Sequence, residues 1–325
     1  MKLLGKLLFW LIISVGVIYG ALFSYSLISD AQVKGIATIL SPLPSLLVDT
    51  VVKPHDGNYA FWYPSEKKTP TNVKKLEVTA KSAISYELNT DTLLYDKDSD
   101  EKLPIASLTK VMTAVVALET MDLDKQVTVS EHAATIGENA MGLSTGESLT
   151  VEELLYGLIL HSGNDAAEVL AEESPYGRDE FVFIMNKKAE SLGLTNTRFS
   201  NASGLEGDGR QYSTVKDLLT LTRYALTFPE FAKIAATYEH EILVTSTHKY
   251  FLLYNQTNLL TTYPGVKGVK TGYTEEAGLC LITYLEYKGH KIVAVLLNSE
   301  NRRQDMKELL DYSLKSLGVE PPAHN

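Results

Sequence analysis

What most constrains the fold of this chain is that its two hydrophobic periods are kept apart. Between about residues 107 and 227, apolar residues recur at helical spacing, in segments near 107–120, 150–161, 165–173, 179–192 and 213–227. Past Pro229 the character turns to strand. Val, Ile, Leu, Thr and Tyr gather near 241–247, 266–273, 277–286 and 291–298, and Gly289 marks a tight turn between the last two. An earlier pair of short strands, 83–88 and 92–95, reads as a hairpin across Asn89-Thr90-Asp91. A closing helix over 302–317 carries Met306, Leu309, Leu310 and Leu314 at helical spacing. Strands segregated from helices predict an α+β fold with an antiparallel sheet flanked by helices and a mostly helical subdomain, and exclude a doubly wound parallel sheet.

Two helix starts carry their own caps. Thr150-Val151-Glu152-Glu153 precedes Leu154-Leu155, and Thr214 stands three residues before Asp217 and then Leu218-Leu219. The 325 residues, 45% hydrophobic and 22% charged, supply a core of ordinary size. The formal charge of −10 argues against a nucleic-acid binder, which needs a basic face against phosphates. With one cysteine, Cys280, no intramolecular disulfide forms. Cys280 sits in Gly278-Leu279-Cys280-Leu281-Ile282 and reads as a small buried hydrophobe.

The amino terminus differs from the rest. Residues 1–6 contain Lys2 and Lys6, and the uncharged stretch 7–29 is long enough to span a bilayer. The basic flank stays cytoplasmic, which makes 7–29 a membrane anchor and places the remainder outside. Ser29-Asp30-Ala31 offers the alternative of a cleaved signal. Residues 30–80, with Pro42, Pro44, Pro54, Pro64 and Pro70, read as an extracytoplasmic linker, and 81–320 as the catalytic domain.

A serine becomes a nucleophile only beside a base. A lysine one helical turn later lies on the same face, within reach. Ser-x-x-Lys occurs five times, at Ser65/Lys68, Ser99/Lys102, Ser107/Lys110, Ser213/Lys216 and Ser246/Lys249. Ser65 lies in the proline-rich segment, Ser99 in an acidic turn, Ser213 at a helix cap and Ser246 beside a strand. Only Ser107 opens a long apolar helix, where burial of Lys110 favours its neutral form and makes it a usable base. Ser162-Gly163-Asn164 follows the helix ending near His161, and Lys270-Thr271-Gly272 lies on the strand beginning near Val266.

This ordered set of three motifs resembles the serine penicillin-recognising enzymes, which include carboxypeptidases, transpeptidases and β-lactamases. The flanks narrow it. Ala106 to Ala114, His161 to Ala166, Asn201-Ala202-Ser203-Gly204-Leu205 and Gly268 to Thr274 resemble the low-molecular-mass, penicillin-binding D-alanyl-D-alanine carboxypeptidases. The resemblance runs from about 80 to 317 and implies a β-lactamase/transpeptidase-like fold. Many relatives add a β-rich domain and an amphipathic helix after the catalytic part, whereas this sequence stops at Asn325.

The resemblance implies a membrane-bound serine hydrolase without cofactor that removes the terminal D-alanine from peptidoglycan peptides ending in D-Ala-D-Ala and is acylated by β-lactams. Ser107 would attack the carbonyl and Lys110 would take its proton. Ser162 would relay a proton to the leaving amine with help from Lys270, whose charge would also hold the substrate carboxylate. Asn164 would orient Lys110 and the substrate backbone. Thr271 would bind the carboxylate, on the strand that continues through Gly272 and Tyr273. The N–H groups of Ser107 and Tyr273 would form the oxyanion hole. Arg302, seven residues before Leu309, is a further candidate for the carboxylate.

Other readings stay in view. A β-lactamase would need a deacylating glutamate, for which Glu206 is available, and a membrane-bound sensor would acylate without turnover. Gly142-Leu143-Ser144-Thr145-Gly146 matches a hydrolase nucleophile elbow, but polar residues 132–141 precede it where a strand is required. Asp96, Asp98 and Asp100 begin like a calcium loop, yet Glu101 stands where glycine is needed and Ser107 where the closing glutamate belongs. The seven histidines show no ligand spacing, so no catalytic metal is expected.

Overall fold

The computed structural model describes residues 62–67, 73–207 and 210–324. The stretch 7–29 lies outside them, and among the described residues no helix is long and apolar enough to cross a membrane.

The chain opens with the hairpin β1 (Ser82–Glu87) and β2 (Thr92–Lys97). A 3-10 turn, Ala106–Thr109, leads into α1 (Lys110–Thr120). Then come β3 (Gln126–Thr128), α2 (Glu131–Ala134), β4 (Ser148–Thr150), α3 (Val151–Ile159), α4 (Asn164–Glu172), α5 (Arg178–Ser191) and α6 (Val215–Ala225). The last third holds α7 (Pro229–Ala236), β5 (Glu239–Ile242), β6 (Phe251–Tyr254), α8 (Leu259–Thr262), β7 (Val266–Thr274), β8 (Gly278–Tyr287), β9 (His290–Ser299) and α9 (Arg302–Ser316).

Five strands form one antiparallel sheet in the order β2-β1-β9-β8-β7. The first hairpin thus pairs with the last strand, and β7 is left at the edge. Helices cover both faces. Met306, Leu309, Leu310 and Leu314 of α9 are fully buried against Leu281, Leu285, Ile292, Ala294 and Leu296. Each such side chain contributes roughly 1.5–3 kcal/mol. On the other side α6 packs on β1 and β9, and α1 is enclosed by α3, α4, α5 and α6. This is the expected α+β layout, with its helical subdomain between the hairpin and the meander.

The local signals acted as their chemistry dictates. Thr150 and Glu153 close a capping box on α3, and the Thr214 side chain accepts the Asp217 N–H. Lys288 and Gly289 both have positive φ, 48° and 84°, as a two-residue turn between antiparallel strands requires.

Two readings need correction and a third is refined. Residues after Pro229 first form a helix, α7, because Pro229 is suited to its first turn and Phe231, Ile234 and Ala235 bury one face. The strand expected over 241–247 covers only Glu239–Ile242, and Leu243 and Val244 are exposed. Ser99 does lie in the acidic turn, between exposed Asp98 and Asp100, but is itself buried there. The short strands β3, β4 and β6 escaped the sequence pattern.

Of the expected linker 30–80, the described parts pack on this domain. The Trp62 ring meets Tyr86 edge-on at 5.5 Å, Tyr86 Oη accepts the Ser65 N–H at 2.8 Å, and Asp305 accepts the Thr79 and Ala80 N–H groups. Cys280 is fully buried, and burial pushes its thiol up to about 11.

Candidate active site

Three parts of the chain meet at one cleft. Ser107, Ser162, Asn164, Thr271, Gly272, Tyr273 and Arg302 line a space of about 240 Å³ together with Glu138, Asn139, Gly204, Leu205, Gln256 and Thr274. Lys110 and Lys270 stand behind the lining, each nearly or wholly inaccessible to solvent.

Ser107 sits in the 3-10 turn that starts α1, one turn before Lys110. The Lys110 Nζ lies 3.0 Å from Ser107 Oγ and donates to Asn164 Oδ1 at 2.7 Å and to the Ser203 carbonyl. Burial pushes the Lys110 ammonium down from its ordinary range to about 7, against the opposing charges of Asp165, Glu168 and Glu138. Helix position alone would leave a lysine solvated, so the neutral form depends on α1 being enclosed on all sides.

Ser162 follows α3 with φ 62°, a left-handed conformation unusual for a residue with a Cβ. The kink ends the helix and turns the hydroxyl toward β7, where Lys270 Nζ donates to Ser162 Oγ at 2.8 Å and to the Thr271 carbonyl at 2.8 Å. Burial, then the charges of Lys110 and Arg302, hold the Lys270 ammonium well below its ordinary range. Asn164 begins α4, and its Nδ2 donates to Gly137 O at 3.3 Å.

Close backbone approach holds the walls together. A Cβ on Gly272 would meet Ile105 O at 3.1 Å, so β7 lies against the turn that carries Ser107. Gly204, with φ 88°, is tighter still, since a Cβ there would come within 2.1 Å of Ala106 O. Arg302, half-buried at the start of α9, donates to Gly272 O at 2.8 Å and lies in the cleft, while Arg303 is exposed. Tyr273 is 60% exposed at the rim.

Sequence reasoning gave several residues no role. Asp165 is buried, and its carboxylate accepts the N–H groups of Met141, Gly142 and Leu143, each at 2.9 Å, which fixes the loop bearing Glu138 and Asn139. Asn201 accepts the Gly204 N–H at 2.8 Å and donates to Leu205 O at 2.9 Å, shaping the loop whose Ser203 carbonyl meets Lys110. Both lie inside stretches quoted for their resemblance, so the signal was present without a function attached. Gln256, beyond β6, carried none.

The competing motifs stand apart from the cleft. Ser144 is exposed in the loop between α2 and β4, bonded to Lys249 at 2.7 Å, with a strand instead of a helix after it. Glu206 accepts the Glu276 N–H at 3.1 Å and does not line the cleft. Asp100 pairs with Lys216 at 3.2 Å. Among the described residues, His132, Glu168 and Glu172 have ligand atoms within 4.8 Å of one another. None of the three lines the cleft, and Glu168 is paired with Arg178 at 2.8 Å.

Comparison with known proteins converges on one group. The profile of the D-alanyl-D-alanine carboxypeptidase family matches residues 68–301. The D-alanyl-D-alanine carboxypeptidase DacF of Bacillus subtilis is 38% identical over 263 residues, covering 78% of this chain and 67% of that protein. DacB2 of Mycobacterium tuberculosis is 37% identical, over 73% of this chain and 80% of its own. The crystal structure of the Streptomyces K15 DD-transpeptidase superposes with a TM-score of 0.71 at 32% identity, covering 75% of this chain and all of that one.

Proposed function

This chain belongs to the D-alanyl-D-alanine carboxypeptidase family, and from that premise we propose that it releases the terminal D-alanine of peptidoglycan peptides through an acyl-enzyme on Ser107. It is a serine-type hydrolase of peptides ending in D-Ala-D-Ala. The observation that carries the assignment of Ser107 is the 3.0 Å approach of a buried lysine amine to its hydroxyl.

A neutral Lys110 amine has two N–H groups and one lone pair. The N–H groups are spent on Asn164 Oδ1 and Ser203 O, which leaves the lone pair for the Ser107 proton. Ser107 Oγ then attacks the carbonyl of the penultimate D-alanine. The negative charge that develops on the carbonyl oxygen falls to the backbone N–H groups of Ser107 and Tyr273. As the peptide C–N bond breaks, the departing amine takes the Ser162 proton, which Lys270 replaces. The terminal carboxylate is held by Arg302, Thr271 and the Lys270 charge it induces. The substrate backbone lies along β7, whose outer edge has no partner strand in the sheet. Water closes the cycle by hydrolysing the ester: its proton passes through Ser162 to Lys270, and the proton on Lys110 returns to Ser107 Oγ as the ester bond breaks. β-Lactams enter as substrates whose leaving group stays attached.

The test is mass spectrometry of the protein after penicillin exposure, beside D-alanine release from a D-Ala-D-Ala peptide. A single adduct on Ser107, absent from a folded Ser107→Ala variant, is expected. An adduct on another serine would overturn the assignment.

Residues 7–29 serve as the membrane anchor in this reading, with the catalytic domain outside. Supporting it are Lys2 and Lys6 ahead of an uncharged stretch of spanning length. Fractionation should find the protein in the membrane, and a soluble form beginning near Gln32 would instead mark a cleaved signal.

A further inference from the structure

The cleft is charged unevenly. Lys270 and Arg302 stand at the β7 wall. Facing them is the turn at Ser162 with loop 137–139, knit together by Asn139 Nδ2 donating to His161 O at 2.7 Å and the Asn164 N–H donating to Asn139 O at 2.7 Å. On that loop, exposed and lining the same cleft as Ser107, is Glu138. It is the only carboxylate among the described lining residues, and its side chain has no ion pair among the described residues. Its backbone is held at φ 56°, a conformation costly for a residue with a side chain. With Gly137 and Asn139 both bonded to the Ser162–Asn164 turn, the carboxylate stays at the cleft.

An unpaired carboxylate here cannot serve the leaving D-alanine, whose own carboxylate it repels toward Lys270 and Arg302. Within the protein its charge favours the Lys110 ammonium, and within the cleft it favours a cation on the other half of the substrate, the acyl portion that remains on Ser107. Successive peptide residues advance about 3.5 Å, so the residue preceding D-Ala-D-Ala still falls at the mouth of the cleft. Resting on the carboxypeptidase reading, we propose that Glu138 selects peptides whose residue before D-Ala-D-Ala bears a free primary amine on its side chain. The ion pair Glu138 forms with this ammonium makes it a specificity-determining residue.

The experiment compares two peptides on the full chain, Nα-acetyl-L-Lys-D-Ala-D-Ala and its Nα,Nε-diacetyl counterpart. The free amine should raise kcat/KM about fivefold, mainly through KM, the size that an exposed ion pair supports. The preference should shrink as salt is added. In Glu138→Gln the ratio between the peptides should fall to about one, and Glu138→Asp should keep part of it. Equal rates in the unaltered protein, or a preference that survives Glu138→Gln, would overturn the proposal. So would an equal loss on both peptides with a longer-lived acyl-enzyme, because Glu138 would then act on the reaction itself. If neither peptide releases D-alanine, the carboxypeptidase reading fails, and binding of the same peptides to Ser107→Ala decides the charge preference. Tighter binding of the free amine supports it and equal binding overturns it.

Discussion

The Nζ of Lys270 lies 2.8 Å from the Oγ of Ser162, although 108 positions separate them in sequence. This contact ties the edge of the sheet to the helical subdomain and repeats, across the cleft, the pairing of Lys110 with Ser107. The two lysines face opposite demands. In the proposed mechanism Lys110 must be neutral to accept a proton, and Lys270 must be charged to attract a carboxylate. Burial disfavours both charges, and the Lys110 charge further disfavours that of Lys270. In that mechanism a substrate carboxylate beside Lys270 and Arg302 offsets the burial of the Lys270 charge, so binding of substrate and protonation of Lys270 reinforce each other.

The first prediction follows from Lys110. With its ammonium pushed down to about 7, the amine is protonated below that pH and free above it. Acylation by penicillin should therefore rise with pH to a plateau above about 7 and fall about tenfold per unit on the acid side. Stability carries the same group with a definite sign. Between about 7 and the ordinary lysine value of 10.5 the unfolded chain binds the proton that the folded chain does not, so this contribution favours the fold more as pH rises. Labelling rates from pH 5 to 9 test the first point, and a midpoint near the ordinary lysine range would refute it.

Asp165→Asn should do two separable things. The carboxylate accepts three loop N–H groups, and an amide turns an NH2 toward at least one of them whichever way it faces. Leaving such a buried donor unsatisfied costs on the order of 1–3 kcal/mol, more where the lost partner was charged. Asp165 is also the leading charge favouring the Lys110 ammonium. Its removal should move the acid limb of the pH profile to lower pH. Thermal unfolding reads the first effect and the labelling profile the second, and an unmoved limb would show that Asp165 serves only the loop.

The helical middle, the final meander and the closing helix were legible because each carries a long, consistent hydrophobic period. Residues 229–236 and 251–254 were not, since short elements hold too few residues to show a period and took their form from what they pack against. At the site, Ser107, Lys110, Ser162, Asn164, Lys270 and Thr271 stood out because the reaction needs those groups near one another. Arg302 stood out by its spacing before Leu309, and the cap at Asn301 sets it, rather than the adjacent Arg303, toward Gly272. Glu138 and Gln256 had no signal, because their place in the cleft comes from tertiary contacts of loops.

Gly204→Ala should disable the site from its wall. The residue sits at φ 88°, and an added Cβ would come within 2.1 Å of Ala106 O and 2.6 Å of Ala106 C. Those atoms are backbone and adjoin Ser107, so relief must displace the nucleophile or the loop carrying Ser203 O. A loss of about 1–3 kcal/mol in stability is expected from the strained backbone alone. Penicillin labelling should fall by more than that loss of folded protein explains. Full labelling of the folded fraction would mean that the loop moves without disturbing Ser107.

The last prediction concerns the two half-reactions. Penicillin should acylate Ser107 quickly and leave slowly, while the peptide turns over. Acylation needs a proton acceptor beside Ser107, which Lys110 provides at 3.0 Å. Deacylation needs a water placed against the ester. After peptide cleavage the D-alanine departs, and the space between Ser162, Thr271 and Arg302 opens to that water. After β-lactam opening the leaving group stays tethered there and blocks the approach. A dedicated glutamate could offset the block, but Glu206 is turned to the Glu276 N–H and lies outside the cleft lining. A loss of about 1.4 kcal/mol in transition-state stabilisation slows a step about tenfold, so a modest obstruction gives a long-lived adduct. The check is recovery of free enzyme after excess penicillin is removed, beside the rate of D-alanine release. Rapid recovery with continuing penicillin hydrolysis would show that some other group in this cleft activates water against the tethered adduct.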